Sequence, residues 1–191
     1  MNKVAPLPTR RLASIYQMKV TLRAISPTIW QRFQVHGHVR LSELHRTLQA
    51  VMGWTESHRY KFEIAGTDYG PPDAELLWGN RNDRKARLDK VASAPGTAIT
   101  YHYDFSGGWE HEIVVEAILA PEPGVSHPVC IVGEHACPPE DCGGRPGYGL
   151  LLGALRKLDH PEHDSMVERF GEDFDPDAFD LDAVNRRLMR L

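Results

Sequence analysis

From Met18 to Ala24 apolar and polar residues alternate: Met18, Val20, Leu22 and Ala24 are apolar, and Lys19, Thr21 and Arg23 are polar. A period of two marks a half-buried strand. With Ile15 and Gln17 ahead of it, the strand spans 15–25. Ser26-Pro27 makes a turn. The alternation then resumes, with Ile29, Gln31, Phe33 and Val35 on one face and Trp30, Arg32 and Gln34 on the other. The two runs predict an antiparallel hairpin.

At Leu41 the period changes. Leu41, Leu44, Leu48, Val51 and Met52 recur at three- and four-residue spacing, which predicts an amphipathic helix over 41–52. Ser42 lies near its start, and Gly53 suits its C-cap. Tyr60, Phe62 and Ile64 read as a third strand, and 66–80 as a long loop. Ile99, Tyr101, Tyr103 and Phe105 make a further strand. Ser106-Gly107-Gly108 is a short connection to another at 109–119, so a second hairpin is predicted.

Beyond residue 150 the pattern is helical. Leu150, Leu151, Leu155 and Leu158 mark one helix, 161–170 a second, and Leu181, Val184, Leu188 and Leu191 a third. Asp180 and Asp182 at the start of the third, and Arg186, Arg187 and Arg190 at its end, suit the helix dipole. Asp175-Pro176 reads as an N-cap followed by proline at the first helical position. The sum is an α+β fold, a mixed or mostly antiparallel sheet of about five strands packed on one amphipathic helix, with a helical C-terminal part. Residues 1–14, with two prolines and two arginines but no apolar stretch, read as a flexible arm before a single domain, 15–191. No internal repeat is present.

Composition narrows the function classes. The 191 residues are 41% hydrophobic and 25% charged, enough for one good core. A net charge of −4 disfavours a dedicated nucleic-acid binder. The exception is a local basic segment, Arg81, Arg84, Lys85, Arg87 and Lys90 against Asp83 and Asp89, where Leu88 and Val91 anchor one helical turn. The acidic stretch 159–182 reads as a solvated face. No apolar run is long enough for a membrane helix. An odd cysteine count, three, without a secretory leader points to the cytoplasm.

The most distinctive stretch is Cys137-Pro138-Pro139-Glu140-Asp141-Cys142-Gly143-Gly144, followed by Gly147-Tyr148. Proline lacks an N–H and glycine lacks a Cβ, so the run predicts a rigid loop rather than a helix or central strand. Around it lie the candidate chemical groups. Asp104 and His111 sit on strands joined by a short connection and are placed to face each other, a carboxylate orienting an imidazole. Glu140 and Asp141 add acid–base or cation-binding capacity, or pin the loop by accepting backbone hydrogen bonds. Cys130, Cys137 and Cys142, spaced by six and four residues, make with His135 a possible zinc set, or are small buried hydrophobes. Trp30, Trp54, Trp78 and Trp109 with Tyr101, Tyr103 and Tyr148 are core packing or stacking surfaces. Trp109 and Tyr148 flank loops and are, with Tyr103 and His58, the binding candidates. His45 and His58 each read first as structural hydrogen-bonding residues. The common nucleotide-binding, serine-hydrolase and zinc-protease motifs are missing from the sequence.

Several of these pieces together resemble one family. They are Ile29-Trp30-Gln31-Arg32-Phe33, Leu44-His45, Gln49, Met52-Gly53-Trp54, His58, Tyr101-His102-Tyr103-Asp104-Phe105, Trp109-Glu110-His111, the Cys137–Gly144 run, Gly147-Tyr148 and Phe174-Asp175-Pro176. Over about residues 15–191 the chain resembles the plasmid pRiA4b ORF-3-like family. The resemblance implies a compact α+β domain and a link to plasmids or insertion elements, but no particular chemistry. A resolvase-type label used for some members finds no nucleophilic serine with an arginine cluster here. The family pattern Tyr-Asp-Phe-Gly-Asp-x-Trp is altered, with Gly107 in place of the second acid. Valine can stand at the Cys142 position, which favours a structural cysteine there. The expectation is a cytoplasmic binding or interaction module for a protein, peptide or nucleotide. The alternatives are a metal-assisted hydrolase using Asp104, His111, Glu140 and Asp141 with Zn²⁺ or Mg²⁺, and nucleic-acid contact through 81–90.

Overall fold

The computed structural model describes residues 14–72, 81–171 and 174–191. Among these, β1 (Ile15–Leu22), β2 (Trp30–His36), β3 (Tyr60–Ile64), β4 (Thr67–Gly70), β5 (Arg81–Asn82), β6 (Ala98–Tyr103), β7 (Trp109–Leu119) and β8 (Val129–Glu134) form one sheet. Their order is β5-β4-β3-β6-β7-β1-β2-β8, antiparallel throughout except for β4 with β5. The helices are α1 (Leu41–Met52), α2 (Leu88–Val91), α3 (Gly144–Leu155), α4 (His163–Phe170) and α5 (Leu181–Leu188).

The α+β class and the two hairpins match expectation, but the sheet has eight strands rather than about five. The three additions share a cause. β4 and β5 have four and two residues, too few to display a period. β8 is an edge strand with only Cys130 buried, so its two faces do not alternate. Part of the expected 66–80 loop is therefore strand, and 73–80, with Trp78, lies outside the described residues, as does the expected arm up to residue 13.

One face of the sheet is dry. Met18, Val20, Leu22, Phe33, Phe62, Ile99, Tyr101, Ile113 and Val115 are buried there with Leu41, Leu44, Leu48 and Val51 of α1. Val184 and Leu188 of α5 join the same core. The other face is wet and charged, as an antiparallel sheet permits. Arg32 pairs there with Glu116 (2.5 Å), and Arg23 with Glu110 (2.6 Å) and Glu112 (3.0 Å).

Helix ends depart from expectation in three places. Glu43, not Ser42, closes the first turn of α1, accepting from the Arg40 N–H at 2.6 Å. Gly53 ends that helix as expected, in the left-handed region at φ 80°. The Gly-rich end of the signature run is not wholly loop: α3 begins at Gly144, after a left-handed Gly143, and carries Pro146 in its first turn. First-turn N–H groups have no partner within the helix, so proline costs little there. Asp175-Pro176 starts no helix. Asp175 Oδ1 accepts from the Asp177 N–H at 2.9 Å and closes a turn instead. Asp180 does cap α5, accepting from the Ala183 N–H at 2.8 Å.

Candidate functional site

The signature loop crosses the end of α1 and meets the tip of the β6–β7 hairpin. Trp54, just past α1, donates its Nε1–H to the Pro138 carbonyl at 2.9 Å. Beyond it the chain presents Thr55, Ser57 and His58 to the two acids of the loop. Glu140 accepts from the Thr55 N–H (2.8 Å), Thr55 Oγ1 (2.5 Å) and Ser57 Oγ (3.1 Å), and from the Tyr103 hydroxyl. Burial works against its charge, but these hydrogen bonds outweigh it and hold the Glu140 pKa below its ordinary value.

His58 lies between two carboxylates. Its Nε2 is 2.7 Å from Asp141 Oδ1, and its Nδ1 is 3.7 Å from Asp104 Oδ1. Partial burial opposes its charge. The hydrogen bond to Asp141 and the charges of Asp104, Asp141 and Glu140 prevail, so its pKa is raised. Asp104 accepts from Ser106 Oγ at 2.5 Å and from the backbone N–H groups of Ser106 and Gly107. Despite the cost of burial, these donors lower its pKa. With Asp141 on Nε2 and Asp104 nearest Nδ1, the imidazole faces a carboxylate on each side. Asp104 and Asp141 both have left-handed backbones, at φ 49° and 62°. Such strain persists only where surrounding bonds impose it.

Asp104 thus partners His58 and not His111. His111 is fully buried on the sheet's dry face, directly opposite Tyr101. Its Nδ1 is 3.3 Å from the Tyr101 carbonyl, which can only accept, so Nδ1 carries the proton. Burial lowers its pKa to about 4. The other aromatic candidates are also internal: Trp109 is 2% exposed, Tyr148 3% and Tyr103 1%. Trp54 stacks on Tyr103 with ring centres 5.1 Å apart. None of the three presents a ring face to a ligand; Tyr103 contributes through its hydroxyl on Glu140.

The zinc set does not assemble either. Cys130 Sγ donates to the Arg32 carbonyl at 3.4 Å, Cys142 Sγ to the Gly144 carbonyl at 3.8 Å, and His135 Nδ1 lies 3.0 Å from the Thr28 carbonyl. Cys137 Sγ donates to Met52 Sδ at 3.3 Å and accepts from Gln31 Nε2 at 3.2 Å. Burial pushes the three thiols up to about 11, 12 and 11 for Cys130, Cys137 and Cys142, so they stay protonated at neutral pH. Among the described residues no group of three or more His, Cys, Asp or Glu is placed to hold a metal.

Glycines let the loop and the hairpin tip touch. A Cβ on Gly107 would stand 2.2 Å from Asp104 Oδ2, so the acid expected there from the family pattern would collide with Asp104 as it is now placed. A Cβ on Gly144 would meet the Gly107 carbonyl at 2.2 Å, and one on Gly147 the Cys142 carbonyl at 1.8 Å. Backbone cannot step aside as a side-chain tip can. Gly147→Ala is therefore expected to destabilise the protein by about 2–3 kcal/mol. Chemical denaturation checks this, and a variant of native stability contradicts it.

On the other side of Cys137-Pro138-Pro139 the loop borders an open cavity of about 420 Å³, bounded by α5 and by residues following α4. Two polar groups in it lack full satisfaction. Gln31 is fully buried and its Oε1 has no donor. Arg187 of α5 donates Nε–H to the Ala50 carbonyl at 2.7 Å, and among the described residues no carboxylate is within ion-pair distance of its guanidinium. In the sequence Arg187 reads only as a helix-dipole complement. Gln31 carried a visible signal: a glutamine standing on the face of Ile29, Phe33 and Val35.

The basic segment stays on the periphery. Arg81, Arg84, Lys85, Arg87 and Lys90 are exposed, and Arg87 is paired with Asp89 at 2.8 Å. Contact with nucleic acid through this segment would also call on the basic side chains of Arg10 and Arg11, which lie outside the described residues.

Fold and site together define a one-sheet α+β protein whose acidic loop is tied down by hydrogen bonds beside a largely apolar cavity that holds Gln31 and Arg187. The chain belongs to the plasmid pRiA4b ORF-3-like protein family, which it matches over residues 14–183. It is 36% identical over 181 residues to the uncharacterized protein y4hQ of Sinorhizobium fredii, covering 93% of this chain and 92% of that one. Its fold is similar to the crystal structure of MM3350, a protein of unknown function from Methanosarcina mazei Go1. The TM-score there is 0.82 at 32% identity, over 90% of this chain and 97% of the other.

Proposed function

We propose that this chain is a binding module and not a hydrolase, and that its recognition site is the cavity between the signature loop and α5. The observation that carries this reading is Arg187, a half-buried guanidinium without a carboxylate partner among the described residues, inside a cavity of ligand size. The alternative chemistry loses its parts. Glu140 is saturated by protein donors, His58 is held between carboxylates, and His111 is sealed in the core. The reading keeps a single domain over 15–191 after an arm at 1–14. It also keeps a cytoplasmic setting, supported by three unpaired cysteines. Among the described residues no helix is long and apolar enough to cross a membrane. A link to plasmids or mobile elements rests on the family's name.

A fragment screen followed by amide NMR tests it. Binders are expected to shift the amides of Gly53, Cys137 and Ala183, which line the cavity. Fragments that perturb only the 55–58 and 140–141 amides, or none that bind at all, would remove the reading.

A further inference from the structure

The cavity's polar groups specify more than ligand size. Arg187 spends Nε on the Ala50 carbonyl, which leaves its terminal N–H groups for an anion. Two acids, Asp175 and Asp180, also line the cavity. Each is held by a backbone N–H, from Asp177 and from Ala183. Their charges oppose a phosphate dianion more than a carboxylate monoanion. Gln31 offers the complementary group. Its Nε2 is committed to Cys137, and its Oε1 is a buried acceptor with no donor. Leaving such an oxygen unpaired is costly, and it invites an N–H. The walls are apolar, with Phe174, Phe179 and Val184 among them. The Phe179 ring packs on Gly133, where a Cβ would meet it at 2.5 Å and Gln31 Cγ at 3.0 Å. Oε1 is closed to water, so a ligand reaches it only where the side chains packed around it give way.

Building on the binding reading above, we infer that the cavity takes an apolar carboxylate bearing an adjacent amide N–H, the carboxylate on Arg187 and the N–H on Gln31 Oε1. That chemistry has two sources, a free N-acyl amino acid and the C-terminal residue of a polypeptide. Guanidinium–carboxylate pairing gives the orientation, and the aromatic wall takes the side chain.

The test uses N-acetyl-L-phenylalanine, its C-terminal amide, its N-methyl derivative, and a hexapeptide ending in phenylalanine. Amide NMR titrations of the full chain give the dissociation constants. The free acid is expected to shift the cavity amides, and the C-terminal amide and the N-methyl compound to bind at least tenfold more weakly. Arg187→Gln is expected to abolish the preference for acid over amide while leaving the spectrum folded. A peptide that binds more tightly than the free acid assigns the chain-end source, and the reverse assigns the small molecule. Equal binding of acid and amide within the cavity overturns this inference and leaves the binding reading intact. Failure of the acid to shift the cavity amides also overturns it, while the fragment screen decides the broader reading. An Arg187→Gln protein that keeps the preference overturns the assignment of the carboxylate to Arg187. The amide and N-methyl comparisons need no mutation, so they hold even if that variant misfolds.

Discussion

Glu140→Ala is expected to lower the free energy of unfolding by about 4 kcal/mol, because one carboxylate satisfies several donors at once. The Thr55 N–H and hydroxyl, the Ser57 hydroxyl and the Tyr103 hydroxyl would all lose their acceptor. The two donors from Thr55 and the one from Ser57 are near the surface and regain water. The Tyr103 ring is buried against Trp54, so its hydroxyl regains less. Each hydrogen bond to a charged group contributes about 1.5–3 kcal/mol, and the partial rehydration keeps the total below their sum. Glu140→Gln retains an acceptor oxygen without the charge, and a loss of about 2 kcal/mol is expected for it. Urea unfolding at neutral pH measures both. If Glu140→Ala costs less than the glutamine variant, the carboxylate is not what ties the loop to α1.

Acidification from pH 6.5 to pH 4 is expected to remove stability steeply, and histidines rather than carboxylates set that window. Burial lowers the pKa of His45 to about 3 and of His111 to about 4, from an ordinary 6.5. In the unfolded chain both bind a proton near pH 6.5, whereas in the folded protein they resist it. Over this interval the unfolded state therefore holds more protons, and stability falls as pH falls. Each contributes a slope of about 1.4 kcal/mol per pH unit, about 2.7 together. His36, His102 and His127, lowered chiefly by burial, act in the same direction. His58 does not cancel the trend. Its raised pKa gives stability that is complete below 6.5 and is lost only as pH rises through its folded value. The lowered carboxylates Asp104 and Glu140 add their own loss at more acid pH still.

His45 also tells where the slope originates. Its Nδ1 is 2.7 Å from the Tyr101 hydroxyl, and its ring stacks on Tyr60 with centres 3.5 Å apart. Glutamine can replace the acceptor but does not titrate. His45→Gln is thus expected to lower the pH slope by about 1.4 kcal/mol per pH unit, whatever it does to absolute stability. Unfolding free energies measured at half-unit intervals between pH 6.5 and 4 check this. A level profile over that range would contradict the neutral, buried state of both histidines.

The pairing of Asp104 with His111 does not hold, for a reason visible in the strand that carries His111. Asp104 and His111 are seven positions apart across a short turn, which suggested that they face each other. The alternation of the same strand already argued otherwise. Trp109, His111, Ile113 and Val115 share one face, and that face is the dry one. Asp104 lies past the end of β6 with a left-handed backbone, so it follows no strand periodicity. Its partner His58 is 46 residues earlier, in a loop without any period. The family resemblance marked both residues but not that they meet.

What the sequence determined by itself was local. Period-two runs placed the hairpin strands, three- and four-residue spacing placed α1, and Gly53 and Asp180 placed two helix ends. These follow from backbone geometry and solvent preference within a few residues. The proline- and glycine-rich run announced a rigid segment, and its composition marked the family. Tertiary structure alone decided what that rigidity serves. It brought Glu140 to Thr55, Ser57 and Tyr103, set His58 between Asp104 and Asp141, and placed the three cysteines apart. It also brought Arg187 and Gln31, 156 positions apart, to one cavity. Such long-range pairings depend on sheet order and on how α5 docks beside α1, and neither leaves a local pattern in the chain.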